Sequence, residues 1–262
     1  MRRHLRVFRV QLRISIASAM AYRANFLVEG VLSIAYSALT LLPLFVVYGA
    51  RASFNGWDLS AALIVMAYFT ALQALLGGIV SPSMRDLVER VRNGSFDYVL
   101  LKPLDAQAAV LASRCRPWSI FDLLAPIAML VYAFGHRGYP PSPGELALGF
   151  ALFMTGALAM CSLWITCAAL VFWVGRLDDL LYLLGAIFDV AKWPVAVFPG
   201  PWRIIFTFVI PVAMMTTFPA MALLGSLHTH QIIGTVVGSA TLFVASRLIW
   251  RAAIRSYTSA SS

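Results

Sequence analysis

Six stretches of this chain run for about 20 residues with almost no charge, and about 20 apolar residues span the hydrocarbon of a bilayer. They cover 25–48, 59–80, 118–134, 145–174, 180–198 and 232–250. A backbone crossing lipid must satisfy its own N–H and C=O groups, which a helix does within one segment. Only 12% of the 262 residues are charged and 61% are hydrophobic, where a soluble domain carries about 25% charged residues. The chain is therefore read as an all-α, multi-pass integral membrane protein.

Basic residues decide the orientation, because Lys and Arg collect on the cytoplasmic side. The uncertain segment is 202–227, which is apolar but broken by Pro211 and Pro219. If it dips in and returns, the inside segments hold six Lys/Arg in 1–24, six in 81–117, Arg176, and three near the C-terminus. That places 16 of 20 inside and leaves Arg51, Arg137, Lys192 and Arg203 outside. If the segment crosses, the inside count falls to 13 of 20. The bias favours six spans, both termini cytoplasmic, and short re-entrant helices over 202–227 before span six.

Residues 1–24 place Arg2, Arg6, Arg9 and Arg13 on one helical stripe, flanked by Leu5, Phe8, Leu12 and Ile16. This pattern predicts an amphipathic helix lying in the membrane interface. A signal peptide fits less well, since the apolar run begins only at Phe26 and continues too long. A nucleic-acid arm fits worse, with so many apolar residues between the charges. The body of the protein is then 25–255, and 256–262 is a Ser-rich cytoplasmic tail.

The longest charged segment inside the chain is 81–117, between spans two and three. Ser81 is a candidate N-cap, and Pro82 suits a first helical turn. Met84, Leu87, Val88 and Val91 recur at i, i+3, i+4 and i+7, one face of a helix. Arg85, Asp86, Glu89, Arg90 and Arg92 fill the remainder, with Asp86 and Arg90 spaced to pair across one turn. Asn93-Gly94 is a stop signal, and Asp105 is placed to cap a second, Ala-rich helix. Two readings are open: a helix resting on the bilayer surface, or one that docks on a soluble partner.

Asp189 and Lys192 stand three apart inside the expected fifth span, where a charge costs roughly 2.5–3.5 kcal/mol on the insertion scale. They line a substrate path, or they form a structural pair with Lys192 reaching the outer interface beside Trp193. Asp122 and Glu29 fall near the cytoplasmic ends of their spans and are read as interface residues. Cys115, Cys161 and Cys167 form no C-x-x-C, and His228 and His230 lie in a polar turn without acidic or thiol partners. No metal site is expected.

The layout as a whole resembles the permease subunits of the type-2 ATP-binding cassette (ABC) transporter family. Within that family, 91–104, VRNGSFDYVLLKPL, is similar to the basic–x–Gly–x–Leu/Phe–Asp–x–x–Leu–x–Lys/Arg–Pro stretch of one branch of bacterial export permeases. A second similar stretch is 193–225, with Pro194, Phe198-Pro199, Arg203, Ile210-Pro211 and Phe218-Pro219-Ala220.

The resemblance implies a permease in the bacterial cytoplasmic (inner) membrane, paired with a second permease, the same or homologous. It also implies two copies of an ABC ATPase subunit on the cytoplasmic side. Residues from Arg85 to Lys102 then form an ATPase-coupling element, including Phe96 of the motif. Met84, Leu87, Val88 and Val91 pack on permease or ATPase, while Arg85, Asp86, Glu89 and Arg90 set register. Gly94 permits the turn, Asp97 and Pro103 fix the return, and the N-terminal helix is a second contact. The expected activity is export of an amphipathic or hydrophobic solute such as a drug, antibiotic, lipid or glycoconjugate.

The chain contains no G-x-x-x-x-G-K-[ST] phosphate loop, and no glycine is followed by lysine. ATP and Mg are therefore expected in the partner ATPase, with no cofactor bound by this chain. The alternative is an intramembrane lipid-modifying enzyme. It needs converging catalytic groups at one depth. No expected span contains a histidine, and the only paired carboxylates are Asp178-Asp179 in a loop. An ion channel lacks a filter-like sequence or acidic ring. Partners are thus expected to be membrane lipid and protein subunits, with no nucleic acid.

Overall fold

The computed structural model describes residues 23–174 and 178–257. Most of the expected interface helix, Arg176 and the end of the tail lie outside the described residues. Five described helices are long and apolar enough to cross a membrane: Val28–Ala50, Leu59–Arg92, Pro117–Arg137, Pro143–Val174 and Thr229–Ser256. A bent pair, Gly200–Val209 and Ala213–Leu223, meets at 74° and makes a sixth if counted as one span.

Helix α1 (Arg23–Ala50) ends at a small hairpin, β1 (Ser53–Phe54) and β2 (Trp57–Asp58). Asn55 and Gly56 both take positive φ, 49° and 81°, as a two-residue hairpin turn requires. Asp58 then caps α2 (Leu59–Leu75), accepting from the Ala61 N–H at 2.8 Å. Residues 61–70 are all buried, so α2 is the central helix, apolar all round because neighbours surround it.

The sequence places a helix start at Ser81, and the structure does not. α2 continues through a π-helical turn, Leu76–Val80, into α3 (Ser81–Arg92) without a cap. Pro82 has no N–H to offer the Gly78 carbonyl four residues back. That carbonyl instead accepts the Arg116 backbone N–H at 2.8 Å. The helical run holds 34 residues, about 51 Å at 1.5 Å per residue, so it overshoots a 30 Å hydrocarbon core by several turns. α3 is that overshoot, and it stops at Gly94, whose φ is +73°.

Two short helices follow, α4 (Asp97–Leu100) and α5 (Ala106–Leu111). Asp105 caps α5 through the Ala108 N–H at 3.0 Å, as its spacing predicts. A 3₁₀ stretch, Pro117–Leu123, leads into α6 (Leu124–Arg137), with Pro126 harmless in the first turn. α7 (Pro143–Ala169) opens with a reciprocal capping box between Ser142 and Glu145 and runs into the single turn α8 (Val171–Val174).

The expected fifth span, 180–198, is not one helix. α9 (Asp178–Phe188) passes into a 3₁₀ turn, Asp189–Lys192, and ends. Trp193 is extended (φ −106°, ψ 143°) because the residue before a proline is pushed out of the helical region. The described length is about 24 Å, short of the hydrocarbon core. This segment packs on the bent pair, α10 (Gly200–Ile204) with its π continuation and α11 (Phe218–Leu223) with the π turn before it. Thr216 Oγ1 donates to the Ala191 carbonyl at 2.9 Å, and the Val195 N–H donates to Thr217 Oγ1 at 3.1 Å. Backbone groups freed by the breaks thus find partners, the condition for broken helices at membrane depth.

The last helix, α12 (Thr229–Ser256), lies along α7. Many large apolar side chains face outward, among them Val31, Val46 and Phe208, at 67%, 72% and 78% exposure. In water such a surface would aggregate; against lipid it is the stable arrangement. Arg85, Arg92, Lys102, Arg114 and Arg251 are exposed at one end, on the side of α3 and the end of α12.

Candidate functional site

The overshooting segment 81–107 builds the first candidate site. Met84, Leu87 and Val88 are 1%, 0% and 2% exposed, and Val91 is half-buried. They share a face as their spacing predicts, but that face packs inside this chain. Met84 and Leu87 belong to the core that holds Trp164, and Val88 meets Val171. Asp86 is buried too, between Arg90 Nε at 2.6 Å and Arg114 Nε at 3.1 Å. Burial alone would raise its pKa; hydrogen bonds from Arg90, Arg114 and Ser113 outweigh that and hold the carboxyl below its ordinary range. The Asp86–Arg90 pair follows from i, i+4 spacing, while Arg114 comes from the far side of the loop.

What this segment offers to the outside is different. Arg85, Glu89 and Arg92 are exposed along α3. Beyond the Gly94 turn, Tyr98 and Leu101 are 69% and 80% exposed, with Lys102 and Pro103 beside them. Phe96 points the other way and is fully buried, its ring edge-on to Phe172, Tyr257 and Trp250 at 5.2, 5.4 and 6.4 Å. Asp97 is half-buried near Tyr257, and burial together with this carboxylate pushes the Tyr257 phenol up.

A polar cleft forms the second candidate site, between α1, the α2–α3 run and α9. Two adjacent cavities of 530 and 380 Å³ share Tyr36, Gln73 and Asp189 in their linings. The larger reaches Arg85, and the smaller reaches Asp122 and Lys192. Asp189 Oδ1 accepts from Gln73 Nε2 at 3.1 Å, and no ion pair joins Asp189 to Lys192 among the described residues. Asp122 also differs from its interface reading: it accepts from Ser33 of α1 and lines the cleft.

Sequence reasoning missed Gln73, Gln107 and Arg247. Gln73 carried a signal, a lone amide in a long apolar run. Arg247 carried one too, a charge near the end of the expected sixth span, while Gln107 carried none; the two meet across 140 residues of sequence. Cys115 is half-buried, and burial pushes its thiol up, away from a reactive thiolate. Among the described residues no group of three His, Cys, Asp or Glu could hold a metal ion.

Outward-facing apolar helices, a structured loop at the basic end and a polar cleft between helices define a polytopic membrane protein. A family model described as ABC-2 family transporter protein matches residues 34–261. The match covers most of the chain, and the protein belongs to this family, as a transmembrane permease subunit that associates with an ABC ATPase. No curated protein matches the chain.

Proposed function

We infer that this permease exports an amphipathic or hydrophobic solute, driven by two copies of a separate ATPase that dock on segment 81–104. The observation that carries the docking reading is the exposed tip. Tyr98 and Leu101 are exposed just beyond the Gly94 turn, with Leu100, Lys102 and Pro103 next to them in sequence, and α3 before the turn exposes Arg85, Glu89 and Arg92. An exposed aromatic and an exposed apolar side chain beside charged residues of the same segment is the composition of a protein contact. The apolar face of α3 supports the tip from within and is not the contact itself. The sequence holds no phosphate-loop motif, and in this reading ATP and Mg belong to the ATPase. In this reading the basic end is cytoplasmic, in the inner membrane of a bacterium, with both termini on that side. The bent pair is re-entrant on the opposite face.

A second permease, identical or homologous, would close the cleft, and Asp189, Lys192, Gln73 and Asp122 would line the solute path. Ionisable groups at membrane depth facing a cavity mark such paths.

The test is purification of the tagged chain in mild detergent, with co-purifying proteins identified by mass spectrometry. An ABC ATPase is expected to accompany it. With Tyr98→Asp and Leu101→Asp together, ATPase recovery is expected to fall at least about tenfold, while the helical circular dichroism signal is unchanged. A wild-type chain recovered without an ATPase would sink the transporter coupling. An undiminished yield from the double variant would move the docking surface elsewhere.

A further inference from the structure

Loop 93–107 is fastened to α12 more firmly than its sequence suggests. Arg247 makes a two-pronged pair with Asp105, Nη1 to Oδ1 at 2.8 Å and Nη2 to Oδ2 at 2.7 Å. The same Nη1 donates to Gln107 Oε1 at 2.7 Å, and Gln107 Nε2 donates to Ser246 Oγ at 3.2 Å. Gln107 and Ser246 are 5% and 0% exposed. A planar guanidinium gripping a carboxylate with two bonds fixes orientation as well as distance. The second joint is aromatic: Phe96 packs against Trp250 of α12 and Tyr257 just beyond it. Tyr257 Oη also approaches the Gly94 carbonyl at 3.5 Å. One joint holds each end of the loop.

At its other end α12 meets the bent pair. Ser239 Oγ lies 3.6 Å from Met214 Sδ. A Cβ on Gly238 would come within 2.6 Å of Met214 Cε, so the Met214 side chain lies directly against the glycine and would have to turn aside for any larger residue. Between Gly238 and Arg247 the helix is continuous, with no proline and no π turn, over about 14 Å. The covalent route from loop to membrane is softer. It passes through Pro82 and the π-helical turn Leu76–Val80, the kind of interruption at which helices bend.

We propose that α12 is the stiff arm that carries movement of loop 93–107 to the bent pair, with Arg247, Asp105 and Gln107 as positioning residues at the joint. This rests on the reading that segment 81–104 faces an ATPase. In this proposal the three act by tying the loop to α12 and not by touching that partner.

The test uses the complex of the full chain with its co-purified ATPase, in detergent. One background carries Cys115, Cys161 and Cys167 replaced by alanine and a reporter Phe208→Cys on the bent pair. The rate of maleimide labelling at position 208 is measured without nucleotide and with ATP and vanadate. In that background the rate is expected to change severalfold with nucleotide. With Arg247→Gln the ATPase is expected to co-purify as before, while the nucleotide-dependent change is lost. Arg247→Lys keeps a cation that can donate to Asp105 and leaves the Asp105 cap of α5 in place, and it is expected to retain a measurable part of the change, where Arg247→Gln retains none. Labelling indifferent to nucleotide in the background chain overturns the proposal, as does a change that survives Arg247→Gln, or an Arg247→Lys chain no better than Arg247→Gln. Failure of the ATPase to co-purify with the unaltered chain removes the docking reading itself, a result distinct from all three.

Discussion

Leu87→Asp is expected to abolish the folded protein, whereas Leu101→Asp, fourteen residues on, leaves it intact. Leu87 is 0% exposed and belongs to the core that contains Trp164, Phe96 and Trp250. A carboxylate there has neither water nor a designed partner, and burying an unpaired charge costs far more than the few kcal/mol that keep a domain folded. Leu101 is 80% exposed and loses little on becoming polar. Size-exclusion profiles of detergent-extracted protein separate the cases: aggregate or no protein for the first, a sharp peak for the second. A normal peak for Leu87→Asp would mean that α3 does not pack against its own chain. The same burial means that truncating Met84, Leu87 and Val91 together would report on folding before docking, since each large-to-small core change costs about 2–5 kcal/mol for Leu or Met.

Gly156→Leu is expected to be nearly as damaging, for a different reason. A Cβ at Gly156 would lie 2.9 Å from Met215 Cα and 3.1 Å from its carbonyl oxygen. The obstacle is backbone, which cannot swing aside as a side chain does. α7 and the π turn Ala213–Thr217 would have to separate, and overpacking of this kind costs about 1–3 kcal/mol or more. Even Gly156→Ala is expected to lower the thermal midpoint, by about 2–4 °C for each kcal/mol lost. Gly185→Ala is the control, because nothing lies within 4 Å of a Cβ there. Equal midpoints for the two alanine variants would show that α7 and the bent pair are not in close contact.

Much of this protein was legible in its sequence because lipid leaves the backbone few options. Long uncharged runs predict α1, α2, α7 and α12, and local rules predict the Gly94 stop and the Asp105 cap. Asp86–Arg90 followed from one helical turn. These features depend on residues near one another in the chain, so composition and spacing suffice to read them.

The errors have an equally physical origin. Ser-Pro signals a helix start, which predicts a separate loop helix over 81–92. Its continuity with α2 depends on Arg116, which lies far along the chain and takes the carbonyl that Pro82 leaves free. The expected fifth span ran through Pro194 because its residues are apolar enough, and hydropathy carries no record of backbone direction.

The sequence by itself determined that this is a helical membrane protein with a charged loop between its second and third hydrophobic runs, since burial of polar backbone in lipid permits little else. Only the tertiary structure decided which face of that loop is open. The periodicity of Met84, Leu87, Val88 and Val91 is the same whether the stripe meets a partner or its own core, and packing against α7 and α8 closes it. Tertiary structure likewise brought Arg247 to Asp105 and Gln73 to Asp189, pairings between residues more than 100 positions apart that no local rule encodes.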